Sequence, residues 1–100
     1  MEKKITPSTG NVFEDLGFPK EEAENLRVRS ALIATIRAIL EEEGLTQAQA
    51  AKLFGVTQPR VSDLVRGKIE LFSIDALVNM VAASGRHVDI SIGTPKDEAA

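Results

Sequence analysis

The stretch Leu45-Thr-Gln-Ala-Gln-Ala-Ala-Lys-Leu-Phe-Gly-Val-Thr-Gln-Pro-Arg-Val-Ser-Asp-Leu-Val-Arg-Gly-Lys68 decides how the rest of the chain is read. Thr46 followed three residues later by Gln49 is a capping-box pattern, in which hydroxyl and amide each satisfy an orphan backbone N–H of the other residue. Ala50, Leu53 and Phe54 supply the apolar side of the helix it opens, and Gly55 stops that helix. A second helix opens at Thr57, carries Pro59 in its first turn and Val61, Leu64 and Val65 as its stripe, and ends at Gly67. Ala51 is small where two helices must approach closely. Gly55 suits a turn with positive φ, and Val56 plugs that turn. Ala50, Phe54, Val56, Val61 and Leu64 thereby form one inward set, and the polar residues between them are projected from a buried base.

Working outward, a longer helix begins near Pro19–Glu22, where proline and acids favour a first turn, and runs to Glu43. Ala23, Leu26, Ser30, Ile33, Ile36 and Leu40 recur at three- and four-residue steps, Leu32 and Ile39 widen the stripe, and Gly44 ends it. Downstream, Ser73 caps a further helix whose stripe is Ile74, Leu77, Val78 and Val81, closed by Gly85. Val12, Phe13, Leu16 and Phe18 allow one short helical turn before Pro19 interrupts it. The period changes to two at the far end, where Val88, Ile90 and Ile92 alternate with His87, Asp89 and Ser91. That reads as a half-buried strand over 87–92. No second strand signal exists for it to pair with, so it either pairs with the same strand of a second subunit or lies as an extended tail on the helical core. The expected organisation is a flexible arm over 1–19 with a short helix, a helical domain over 20–86, the strand 87–92 and a mobile tail over 93–100.

One hundred residues suit a single domain with a small core. There is no cysteine, hence no disulfide framework or thiolate metal site. The longest apolar run, Ala31–Ile36, is broken by Thr35 and is far too short for a bilayer, and the N-terminus lacks a signal-peptide pattern, so a soluble cytoplasmic protein without membrane contact is expected. The net charge of −3 is unevenly spread. Residues 13–43 carry eight acids against four bases, whereas residues 44–69 carry Lys52, Arg60, Arg66 and Lys68 against Asp63 alone. A basic segment between acidic flanks fits a local footprint on double-stranded DNA.

Two short helices with a tight turn and these inward positions make a helix-turn-helix, whose second helix enters a major groove. The quoted stretch resembles the Cro/C1 (XRE) family, which includes the lambdoid phage repressors, and the similarity spans roughly residues 30–83. The resemblance implies an all-α, lambda-repressor-like bundle of about five helices whose members usually bind operators as dimers. In such a dimer the lone C-terminal strand (Val88, Ile90, Ile92) would find its partner in the same strand of the second subunit. Gln58 opens the recognition helix and suits bidentate bonding to adenine. The family commonly has a base-contacting glutamine in that place and a phosphate-contacting one where Gln47 stands. Pro59, without a donor, offers apolar contact such as a thymine methyl, and several relatives carry a polar residue there. Arg60, expected to face outward beside Gln58, would read guanine or clamp phosphate. Ser62 suits several roles. Asp63 would accept from cytosine or orient Arg60 or Arg66. Thr46, Gln47, Thr57, Arg66 and Lys68 are the phosphate candidates. The competing reading of Gln58–Asp63 is a solvated face, and for Lys52 the solvated reading is favoured. His87 reads as a surface or interface histidine, and Met80 and the four phenylalanines as core.

Nothing in the chain has the spacing of an enzyme. There is no nucleophile–base pairing, and Gly93-Thr-Pro-Lys lacks the glycines of a phosphate-cradling loop. No cofactor is expected. Two roles remain. The first is a homodimeric repressor on a palindrome, with recognition helices about 34 Å apart. The second is an antitoxin that also represses its own operon, since the arm before the motif, the strand after it and the phrase QPRVSDLVRGK resemble HigA-type antitoxins. In that role the acidic segment 13–43 and the apolar arm residues would meet a small basic RelE/HigB-type toxin; alternatively, the arm residues cap the chain's own bundle.

Overall fold

The structure is a computed structural model that describes residues 11–94. Its elements are α1 (Val12–Asp15), α2 (Lys20–Glu42), α3 (Gln47–Phe54), α4 (Gln58–Val65), a 3-10 turn (Ile69–Leu71) and α5 (Ile74–Ala83). The expected bundle of about five helices is therefore what forms, with boundaries set by the residues that signalled them. The first ten residues of the expected arm and residues 95–100 of the expected tail lie outside the described part.

The spine is α2. Ala23, Leu26, Ile33, Ile36 and Leu40 are its buried positions, one stripe along 23 residues. Against its C-terminal half stands the core, in which Ile36, Phe54, Leu64, Phe72 and Leu77 are all at most 1% exposed. Burying a side chain of this size stabilises the fold by about 1.5–3 kcal/mol. α3 and α4 pack on one another, and α5 packs on both α2 and α3. Phe54, Phe72 and Met80 are core as expected, but Phe13 and Phe18 are not: Phe13 of α1 meets Phe18, just past it, edge to face at 6.3 Å, away from the main cluster.

α1 is one turn fixed by its cap. Asn11 Oδ1 accepts from the N–H of Phe13 at 2.9 Å and of Glu14 at 3.3 Å. The turn packs on α2 and leaves Val12 and Leu16 on its outer side, 61% and 70% exposed.

At the other end, Arg86 pairs with Glu43 and ties the chain leaving α5 to the end of α2. Beyond it the described residues form neither helix nor strand. Val88 packs half-buried against the core, while Ile90 and Ile92 are 81% and 95% exposed. The alternation expected to make a strand over 87–92 thus has no ladder partner among the described residues. The alternative of a tail lying on the core holds for Val88 alone.

Candidate nucleic-acid interface

Both N-termini of the helix pair are capped as their sequences require. Thr46 Oγ1 accepts from the Gln49 N–H at 3.1 Å, and Gln49 Oε1 accepts from the Thr46 N–H at 2.9 Å, the two halves of the capping box. Thr57 Oγ1 accepts from the Arg60 N–H at a longer 3.4 Å. Between the helices Gly55 adopts φ +69°, and the Val56 N–H reaches back to the Ala51 carbonyl at 3.0 Å. This left-handed turn satisfies the carbonyls left over at the end of α3 and swings the chain directly into α4. The α4 terminus repeats the device: the Lys68 N–H bonds the Asp63 carbonyl at 3.1 Å and the Gly67 N–H bonds the Leu64 carbonyl at 2.9 Å.

The base of α4 is fixed by Val61 and Leu64, 2% and 1% exposed. A helix advances about 100° per residue, so Gln58, Pro59, Ser62, Asp63 and Arg66 fall on the half of α4 turned away from these two. Gln58, Pro59 and Arg66 are exposed, Ser62 and Asp63 half-buried. Among the described residues the Gln58 amide enters no hydrogen bond. Asp63 neither orients Arg60 nor Arg66; its carboxylate stands 3.7 Å from Lys68 Nζ. That contact is loose and partly solvated, so it holds Lys68 only weakly.

Arg60 is not beside Gln58. Two residues along a helix is roughly 200° of rotation, which turns Arg60 to the flank of α4. There its Nη1 donates to the Leu71 carbonyl at 3.0 Å, and its guanidinium lies 4.3 Å over the Phe72 ring. The outward face therefore gathers four of the five residues expected at base edges and leaves Arg60 apart.

Thr46, Gln47 and Thr57 are exposed at the starts of α3 and α4, and Lys68 is half-exposed just past the end of α4. Gln47 lines an open cleft of about 280 Å³ with Arg37, Leu40, Glu41, Gly44, Leu45 and Val65. The sequence reading missed Arg37, whose nearness to Gln47 comes from the turn between α2 and α3. It also missed Arg29, which reaches the carbonyls of Ile69 and Phe72 at 3.3 and 3.4 Å. No local pattern signals a contact across about forty residues.

A family model described as a helix-turn-helix domain matches residues 12–93. An uncharacterized HTH-type transcriptional regulator of Haemophilus influenzae is 30% identical over 89 residues, 87% of this chain and 90% of that protein. A solved structure of a proposed XRE family transcriptional regulator is 33% identical, with a TM-score of 0.66 over 73% of this chain and 82% of its own.

Proposed function

Because the chain belongs to the helix-turn-helix domain family, and within it to the XRE type, we propose that it is a DNA-binding transcriptional regulator that places α4 in the major groove of a palindromic operator as a homodimer. The observation that carries this is the face of Gln58, Pro59, Ser62, Asp63 and Arg66, held outward by the buried Val61 and Leu64. Gln58 is the base reader on this view, with Thr46, Gln47, Thr57, Arg66 and Lys68 on the backbone. Selection from a randomised duplex pool, followed by titration of the winning sequence, tests it. Gln58→Ala should cost about 1–3 kcal/mol on the selected site and relax the preference at the base pair it reads. Affinity equal to that for arbitrary duplex, at low and at moderate salt, would remove the regulator reading.

A specific observation favours a second role beside the first. Val12, Leu16 and Phe18 are 61%, 70% and 39% exposed, within a segment that carries a surplus of acids. An apolar patch with acidic surroundings fits a basic protein partner. On this reading the chain is the antitoxin of a type II pair, binding a RelE/HigB-type toxin and repressing its own operon; the alternative is a stand-alone repressor with no toxin. Val12→Asp with Leu16→Asp should abolish co-purification with a basic protein encoded next to this gene while leaving operator binding intact. Unchanged co-purification would take α1 out of the toxin surface.

A further inference from the structure

The turn Ile69–Phe72 that follows the reading unit is held by two arginines from different helices. Arg29 of α2 donates from Nη1 to the carbonyls of Ile69 and Phe72, at 3.3 and 3.4 Å, and is itself braced by Nε donating to Asn25 Oδ1 at 2.7 Å. Arg60 of α4 donates to the Leu71 carbonyl at 3.0 Å and covers the Phe72 ring at 4.3 Å. Phe72 is 1% exposed and roots the turn in the core. Three carbonyls of a short irregular segment thus accept from guanidinium groups, that of Ile69 also from the Phe72 N–H at 3.2 Å. Arg60 suits the task because its planar fork donates in its plane while its face lies on an aromatic ring.

We infer that Arg60 is a positioning residue that clamps α4 to this turn, and so sets the pose of the recognition helix and of Lys68 against DNA, rather than a side chain that reads a base or binds a phosphate. To reach a base edge it would forfeit both the Leu71 bond and the Phe72 face. Arg29 completes the clamp from the opposite helix. The inference rests on the proposed DNA-reading role of α4.

The test uses the full chain and Arg60→Met, which keeps apolar cover on Phe72 but removes charge and donor, with Arg60→Lys and Phe72→Leu beside it. Thermal melts confirm that each variant is folded at the temperature of measurement. Amide hydrogen exchange over residues 66–72 needs no DNA and should speed up in Arg60→Met. Affinity should fall by roughly tenfold for every duplex in a ranked set, with the ranking and the salt slope unchanged. Arg60→Lys should recover little, because an ammonium cannot cover the ring and bond Leu71 in the same way. Loss confined to duplexes with one particular base pair would make Arg60 a base reader. A salt slope smaller by about one would make it a phosphate contact. Unchanged exchange and unchanged affinity would remove the clamp altogether. A chain whose exchange responds as expected but that prefers no duplex would instead sink the DNA-reading premise.

Discussion

Gly55 is the narrowest point of the reading unit. Its φ of +69° is a conformation in which a Cβ crowds the following carbonyl, yet a Cβ built there would stand 3.4 Å from that of Ala83, an ordinary contact. The cost of Gly55→Ala is therefore conformational rather than steric, about 1–2 kcal/mol. Urea titration should show a lower midpoint with an unchanged slope, since the same surface is exposed on unfolding. A loss well above that range would mean α5 has been displaced. Lys68 is the opposite kind of residue, held loosely by Asp63 at 3.7 Å and placed by its backbone. Lys68→Ala should leave sequence preference intact and reduce the slope of log K against log salt by about one. An altered base preference would move Lys68 off the backbone. At this scale the sequence is readable where a role depends on neighbours within four or five positions, as for Thr46, Gln49, Gly55 and Leu64. For Arg60 only part was readable: the helical rotation of about 200° over two residues separates it from Gln58, whereas its partners Leu71 and Phe72 are reached only after the chain has turned.

The helices differ in how firmly their starts are held. α3 has both capping-box bonds at 3.1 and 2.9 Å, whereas the single side-chain bond at the start of α4 is 3.4 Å. Thr46→Ala should accordingly cost about 1–2 kcal/mol and Thr57→Ala less than about 1 kcal/mol. Chemical denaturation of the two variants checks the order, and the reverse order would mean that the Thr57 hydroxyl bonds more strongly than its distance implies. Elements defined by such local signals were legible: caps and terminal glycines place α3, α4 and α5, and a proline, first-turn acids and Gly44 place α2, each to within a residue or two. The 3-10 turn at Ile69–Leu71 was not, because side chains of Arg29 and Arg60 satisfy its carbonyls from far away in the sequence. The C-terminal segment sits between these cases. Its period of two was legible, but a ladder is a property of two strands, and the chain contains only one candidate.

For the whole molecule, that missing partner has a specific geometry if it is a second copy. Two-fold pairing of 86–94 is antiparallel, and its register is decided by which residue faces itself. Centring on Asp89 sets two carboxylates directly opposite each other, which is destabilising. Centring on Val88 sets Ile90 against Arg86 and leaves Ile92 against the end of α5. Centring on Ile90 sets Ile90 against Ile90 and Val88 against Ile92 on both sides, and faces Asp89 with Ser91. Of these three registers this one alone gives apolar cover to both Ile90 and Ile92, 81% and 95% exposed in the single chain; centring on Ser91 also pairs Ile90 with Ile92 but sets Val88 against Thr94. The absence of cysteine makes the register directly measurable with single substitutions. Directly opposed residues of an antiparallel pair have Cα atoms about 4.5–5.5 Å apart, within reach of a disulfide. Ile90→Cys should therefore oxidise to a covalent dimer by itself. Val88→Cys and Ile92→Cys should each fail alone but link when mixed, and Asp89→Cys should fail. Light scattering on the unmodified chain separates the outcomes. A dimer in which Asp89→Cys links and Ile90→Cys does not keeps the assembly and moves its register by one residue. A monomer at concentrations where the operator is bound with a single-site isotherm removes the dimer, and the palindrome with it.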